Sequence, residues 1–250
     1  MNLWSPAAGG LVLAGLWAAP LAAQDPGQLL GVSLTPSKGS LSLSAPMQII
    51  LLLTILAILP AVIMSVTPFL RITVVLHFLR QALSTQGTPS NQVLIGLALF
   101  LTLVIMQPVA TEMYHKGWEP LESGQVTWQQ AWQNGSQPLQ TFLLRYVREK
   151  DVHLILDISH TPVPRDSSGL GLGVLMPAYV LSELKTGFQI GAVLFLPFLV
   201  IDLVVASVTL SIGMVQLPPI MLSAPFKILL FVLVDGWNLV IGSLMRSFYA

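Results

Sequence analysis

Asp202, Lys227 and Asp235 are the only ionisable residues in an otherwise apolar run from Gly187 to Met245. A charge at bilayer depth costs about 2.5–3.5 kcal/mol on insertion scales, so each of the three needs a partner, a watery path or a protein wall. Three kinds of work are open to them. They can lock helices together as a buried ion pair, relay protons or ions, or face a pore or a subunit boundary. The two aspartates lie equally far from the pair Pro218-Pro219. A hairpin folded there sets both carboxylates at one level, where direct contact is repulsive unless one is protonated. Lys227 and Asp235 share a helix face but stand two turns apart, roughly 11 Å, too far to pair. The spacing predicts that at least one of the three charges is satisfied by a neighbouring chain. Glu183, Lys185 and Arg71 are further charges expected to be buried or shared between subunits.

Other chemistry is excluded more quickly. Cysteine is absent, which removes disulfides, iron–sulfur clusters and thiolate metal sites. The four histidines, His77, His115, His153 and His160, show no ligand spacing. Gly169, Gly171 and Gly173 lack the spacing of a phosphate-binding loop and read as a flexible linker. No nucleophile–base or metal constellation of recognised spacing occurs, so no enzyme, cofactor or metal is expected. Net charge is zero, which suggests no nucleic-acid partner.

The elements that must carry these charges follow from composition. Hydrophobic residues make up 54% of 250 and charged residues 9%, against roughly 25% charge in a soluble domain. The chain reads as an all-α membrane protein. Leu11 to Ala23 has the shape of a secretory signal, with cleavage after Ala23 and residues 1–23 removed. Residues 24–46, rich in Pro, Gly and Ser, form a flexible tether. Region 47–110 holds a first hydrophobic hairpin, built from Met47–Val66, long enough to span about 30 Å, and the slightly shorter Val93–Ala110. Region 111–185 carries most of the charge and reads as a small helical domain. Region 186–250 holds a second hairpin, Gly187–Val215 and Phe226–Met245. Pro60, Pro108, Pro197 and Pro225 predict kinked or broken helices, which persist in membranes only against protein or water.

Finer signals place the connections. Pro68–Leu83 is apolar nearly all round yet carries Arg71 and Arg80, which suits a helix buried against other subunits or lying at the interface. Two Arg and no acid between Thr67 and Gln92 put that side in the cytoplasm and region 111–185 outside it. Thr127-Trp-Gln-Gln130 has capping-box spacing. Pro138 is expected to open a further helix with Leu139, Phe142, Leu143, Tyr146 and Val147 on its apolar stripe. Ser167 to Gly173 reads as a hinge. Gly187 and Gly191 form a GxxxG that permits close helix packing. Met214, Val215, Gln216, Leu217, Pro218, Pro219 and Met221 make an apolar, helix-breaking loop. It is either an ordinary hairpin turn or, in several copies about an axis, a plug for a channel.

Several of these segments are similar to one family. Pro177-Ala-Tyr-Val-Leu-Ser-Glu-Leu-Lys-Thr-Gly-Phe-Gln-Ile-Gly191, Pro197-Phe-Leu-Val-Ile-Asp-Leu-Val-Val-Ala-Ser207 and Pro225-Phe-Lys-Ile-Leu-Leu-Phe-Val-Leu-Val-Asp-Gly-Trp237 resemble signatures of the flagellar biosynthesis FliP family. So do Arg71-Ile-Thr-Val-Val-Leu76 and Asn91-Gln-Val-Leu-Ile-Gly-Leu-Ala-Leu-Phe-Leu-Thr102, and the likeness runs from about Met47 to Tyr249. The resemblance implies a subunit of the type III protein export gate in the bacterial inner membrane at the flagellar basal body. It implies kinked hairpins assembling, as five copies with FliQ and FliR, into a helical channel for unfolded proteins, with the gate toward the periplasm. The signal-like N-terminus favours the flagellar branch over injectisome relatives. Family members carry a run of methionines before the Pro pair as a pore gasket; here Met214 stands alone, followed by Val215 and Gln216. A secondary transporter or ion channel using Asp202 and Asp235 remains the alternative.

Overall fold

The computed structural model describes residues 45–85, 87–162, 170–213 and 218–249. The signal-like segment with Ala23, most of the tether, and loop residues Met214, Val215, Gln216 and Leu217 lie outside the described residues. Packing divides the chain into 1–53 and 54–250. Of the first unit, only the opening turns of α1 (Ala45–Ser65) are described. The remaining helices are α2 (Phe69–Ala82), α3 (Asn91–Met113), α4 (Glu119–Glu122), α5 (Trp128–Tyr146), α6 (Glu149–Ile158), α7 (Leu172–Ser211), α8 (Pro219–Leu233) and α9 (Gly236–Arg246). A π-helical turn, Tyr114–Trp118, joins α3 to α4. No strand occurs among the described residues, and three helices, or four counting a bent pair, are long and apolar enough to cross a membrane.

The spine is α7, 40 residues long and therefore about 60 Å if straight. It begins at Leu172, so Leu172 and Gly173, the last two residues of the segment read as a hinge, are already helical, while Ser167 to Gly169 lie outside the described residues. Against it lies α2, and the reason is steric. A Cβ at Gly187 would stand 3.0 Å from Val74 and one at Gly191 2.5 Å from the Phe78 ring, so only glycine lets the two helices approach this closely. Ile72, Val75, Leu76 and Leu79 are thereby sealed from solvent, together with Leu94 and Ala98 of α3. The expectation of a helix buried against other subunits or lying at the interface is corrected: its apolar surface is covered within the chain by α7 and α3.

In the middle region Thr127 caps α5 through the reciprocal bonds of a capping box, its hydroxyl accepting from the Gln130 amide and its own amide donating to the Gln130 side chain. Pro138 does not open a helix, because α5 runs through it without a break. Pro138 has no amide to donate to the Asn134 carbonyl, and Asn134 is exposed, a position at which a carbonyl can be hydrated at little cost. A contact with no local signature fixes the π turn against α5: a Cβ at Gly117 would lie 2.9 Å from the Cα of Gly135.

Two departures concern the last hairpin. Phe198 stacks near Phe231, at 6.5 Å between ring centroids, and Asp202 meets residues 223 and 227, which makes α7 and α8 antiparallel. The midpoints of these pairs fall at 212–215, beside Gly213 with its left-handed φ of +81°, and not at Pro218-Pro219. Pro218 is extended, and Pro219 takes the first position of α8. The fourth apolar block is also broken. Asp235 adopts φ 50°, ψ 52°, and α9 leaves α8 at 66°. The two aspartates therefore do not share a level, since Asp202 lies opposite α8 while Asp235 marks its broken far end.

Candidate functional site

Three ion pairs are strung along α7. At its N-terminal part, Ser182 Oγ donates to Asp151 Oδ2 at 2.7 Å, and Lys185 Nζ donates to Asp151 Oδ1. Asp151 is buried. Burial alone would raise its carboxyl, but the bonds from Lys185 and Ser182, with the charges of Lys185 and Arg148, hold it below the ordinary value. Beside it the Arg148 amide donates to Ser182 Oγ at 3.0 Å, and the Arg148 guanidinium reaches Thr186 and Gln189, so the start of α6 is fastened to α7.

One residue along, Glu183 is fully buried and paired with Arg71 of α2, whose Nε donates to Glu183 Oε2 at 2.8 Å and whose Nη2 donates to Oε1. This bidentate fork suits a guanidinium. Its flat face lies 4.0 Å from the Phe248 ring centroid and 5.7 Å from that of Tyr146, and Nη1 donates to Ser247 Oγ at 3.1 Å. The Tyr146 hydroxyl closes the ring of contacts by donating to the Phe248 carbonyl. Residues from α2, α5, α7 and the segment after α9 thus meet on one cation.

The third pair lies about 28 Å further along a straight α7. Lys227, with no exposed surface, donates to Asp202 Oδ2 at 2.7 Å and to Ser84 Oγ at 2.8 Å. Ser223 donates to the other Asp202 oxygen. Both Asp202 oxygens and two of the three Lys227 donors are thereby used inside one chain. Between Lys185 and Asp202, α7 carries no charge at all. Its outer residues Val193, Leu196, Val200, Leu203 and Val204 are exposed and apolar.

The six charges singled out in the sequence thus part company. Arg71 with Glu183 and Asp202 with Lys227 are brought together, and Lys185 finds Asp151. Asp235 is not joined to them. It is exposed, accepts from Asn238 Nδ2 at 3.2 Å, and has no ion pair among the described residues. Gly187 and Gly191 lie at the α2–α7 contact as described above. Of the loop, Pro218, Pro219 and Met221 are described, and Met221 is exposed. Sequence reasoning placed Tyr146 on an apolar stripe without a role at the charges, and missed Asp151, Ser84, Ser223 and Phe248. Asp151 carried one usable signal, an acid in the first turn of an amphipathic helix; the others have none.

Known proteins are similar to this chain along most of its length. A model of the FliP family matches residues 52–244. The flagellar biosynthetic protein FliP of Pectobacterium carotovorum subsp. carotovorum is 46% identical over 224 residues, covering 89% of this chain and 87% of that protein. The Bacillus subtilis strain 168 protein of the same name is 45% identical over 207 residues, 83% of this chain and 94% of its own length. That of Treponema pallidum strain Nichols is 46% identical over 203 residues, 80% of this chain and 75% of its own.

Proposed function

The chain belongs to the FliP family, and from that premise we propose that it is a core subunit of the flagellar type III export gate, a conduit for unfolded flagellar proteins rather than an enzyme. The observation that carries the reading is the α7–α8 hairpin. Its charges are neutralised inward by Asp202–Lys227, while its outer face is apolar and free to meet lipid or further copies. A relay reading of Asp202 loses its main support, because both oxygens of that carboxylate are already bonded.

The finer assignments follow from the resemblance. Five copies, joined by FliQ and FliR, build a closed channel in the bacterial inner membrane, with region 111–185 and the gate on the periplasmic side. The loop Met214–Met221 lines the closure, with Val215, Leu217 and Met221 supplying the seal that a methionine run gives elsewhere. Asp235, exposed at the α8–α9 break, is the charge left for a neighbouring subunit.

Native mass spectrometry of the full chain co-expressed with FliQ and FliR of its own organism tests the assembly. A complex with several copies is expected, and a chain that stays monomeric overturns the reading. Replacing Met214 and Leu217 together by Gly should raise ion leakage through the assembled gate. Unchanged conductance counts against the plug.

A further inference from the structure

Away from the charges of α7, three tryptophans surround a cavity that the gate reading does not use. Trp118 of the π turn and Trp128 and Trp132 of α5 are 57%, 65% and 64% exposed, an unusual state for the largest apolar side chains. The cavity has a volume of about 270 Å³, and Leu139, Leu172 and Met176 complete its wall. Its depth comes from the Gly117–Gly135 contact, which draws the π turn onto α5 and leaves the indoles standing around the gap.

Position and charge narrow what can fill it. The apolar block of α3 ends near Ala110 and continues helically into Tyr114 and Trp118. Its exposed apolar face, with Phe100, Leu103 and Val104, is followed along the same helix by exposed Gln107, Thr111 and Glu112 and then by the aromatic residues. Eighteen residues of that block span about 27 Å, close to the hydrocarbon thickness, so Tyr114 comes one turn beyond it and Trp118 two. Indole and phenol rings concentrate at that level, where an apolar ring meets water at one edge. From Glu112 to Leu144 the fixed charges are Glu112, Lys116, Glu119 and Glu122, with Lys116 bonded to Glu112 at 3.0 Å, which leaves a net acidic surface. Anionic headgroups are not attracted by such a surface, and contact must come from apolar insertion.

We propose that Trp118, Trp128 and Trp132 form an interfacial lipid-binding platform, set at the membrane boundary at the C-terminal end of α3, whose cavity takes an acyl chain of a neutral or zwitterionic phospholipid. The proposal rests on reading α3 as a membrane span and is independent of pore closure. It gives α5 two working faces: Phe142 and Leu143 turn into the protein core, while Trp128 and Trp132 turn to lipid.

The test uses the full chain with Trp4, Trp17 and Trp237 replaced by Phe, reconstituted in phosphatidylcholine nanodiscs brominated near the carbonyl end of the acyl chains. The three remaining indoles should lose most of their emission relative to unbrominated discs, equally at low and high salt and with or without anionic lipid. A companion chain carries Phe100→Trp as its single indole in discs brominated near the methyl end of the acyl chains, because residue 100 lies near the middle of the Val93–Ala110 block, and chains keeping Trp132 alone guard against misfolding of any one variant. If Phe100→Trp is quenched and the platform is not, the platform is wrong and the span stands; a second copy or a protein partner then covers the indoles. If neither is quenched, the span and the platform fall together. Quenching that requires anionic lipid also overturns the proposal, because it would make charge the driving force.

Discussion

The Asp202–Lys227 pair predicts an asymmetry that a simple count of ion pairs would miss. Lys227 has a side chain 1% exposed, whereas that of Asp202 is 24% exposed and keeps a second bond from Ser223. Asp202→Asn strands an ammonium with Ser84 as its one remaining oxygen partner of comparable strength, and orphaning a buried charge costs about 3–5 kcal/mol. Lys227→Met, similar in length, strands a carboxylate that still has Ser223 and some water, so the loss is nearer that of one charged hydrogen bond, about 1.5–3 kcal/mol. At about 2–4 °C per kcal/mol for a chain of this size, thermal midpoints should fall by about 6–20 °C and about 3–12 °C respectively. The double variant Asp202→Leu/Lys227→Met removes both charges and should recover most of the loss, because an apolar pair often replaces a buried ion pair without penalty. Far-UV circular dichroism melts of the detergent-solubilised chain measure all of these, with Asp202→Leu added as the single change that completes the double-mutant cycle. The reasoning is refuted if Lys227→Met is the worse single change, or if the double loss equals the sum. An Asp202→Asn chain that melts normally but has lost transport would instead revive the relay.

Further outcomes follow from the packing. Gly191→Ala should lower stability by about 1–3 kcal/mol through overpacking against Phe78, and Phe78→Ala in the same chain should restore most of it in the same melts. Gly117→Ala should cost more than Gly191→Ala, because the obstructing atoms are the Gly135 Cα and the Ala131 carbonyl, backbone that cannot swing aside. The Asp151 carboxyl is held below its unfolded value, so its contribution is complete above about pH 4 and is lost as pH falls through the folded-state value. Asp151→Asn should therefore flatten the acid limb of a stability–pH profile; an unchanged limb would remove Asp151 from the account.

Much of the architecture was legible in the sequence because hydrophobic length is a local quantity. Four apolar blocks translate into α1, α3, α7 and the bent pair α8–α9, and Thr127 with Gln130 announces a helix start from four residues. Partners are not local. Arg71 and Glu183 are 112 residues apart, and Lys227 and Ser84 are 143 apart, so no periodicity links them. The hairpin centre was misplaced for a related reason. Two prolines are a strong turn signal, but here they begin α8, and Gly213 supplies the left-handed residue that ends α7. Pro138 misled in the opposite sense, because tertiary packing carried α5 through a residue that normally starts a helix. Hydropathy also could not separate α2, buried by its own chain, from a helix waiting for another subunit.

The ring of contacts around Arg71 also sets a clock on biogenesis. Its guanidinium is made early, yet Ser247 follows 176 residues later. At about 5–20 residues per second that interval is about 9–35 s. Glu183 arrives part-way through, but the Phe248 ring and the Ser247 hydroxyl come only with the last turns of synthesis. Until then α2 reaches the membrane with a cation its own core has not finished enclosing, visible to any machinery that surveys charge in nascent spans. A chain interrupted before residue 247 would lack the Ser247 hydroxyl and the Phe248 ring over that cation, so the same arginine that locks the finished subunit marks an unfinished one.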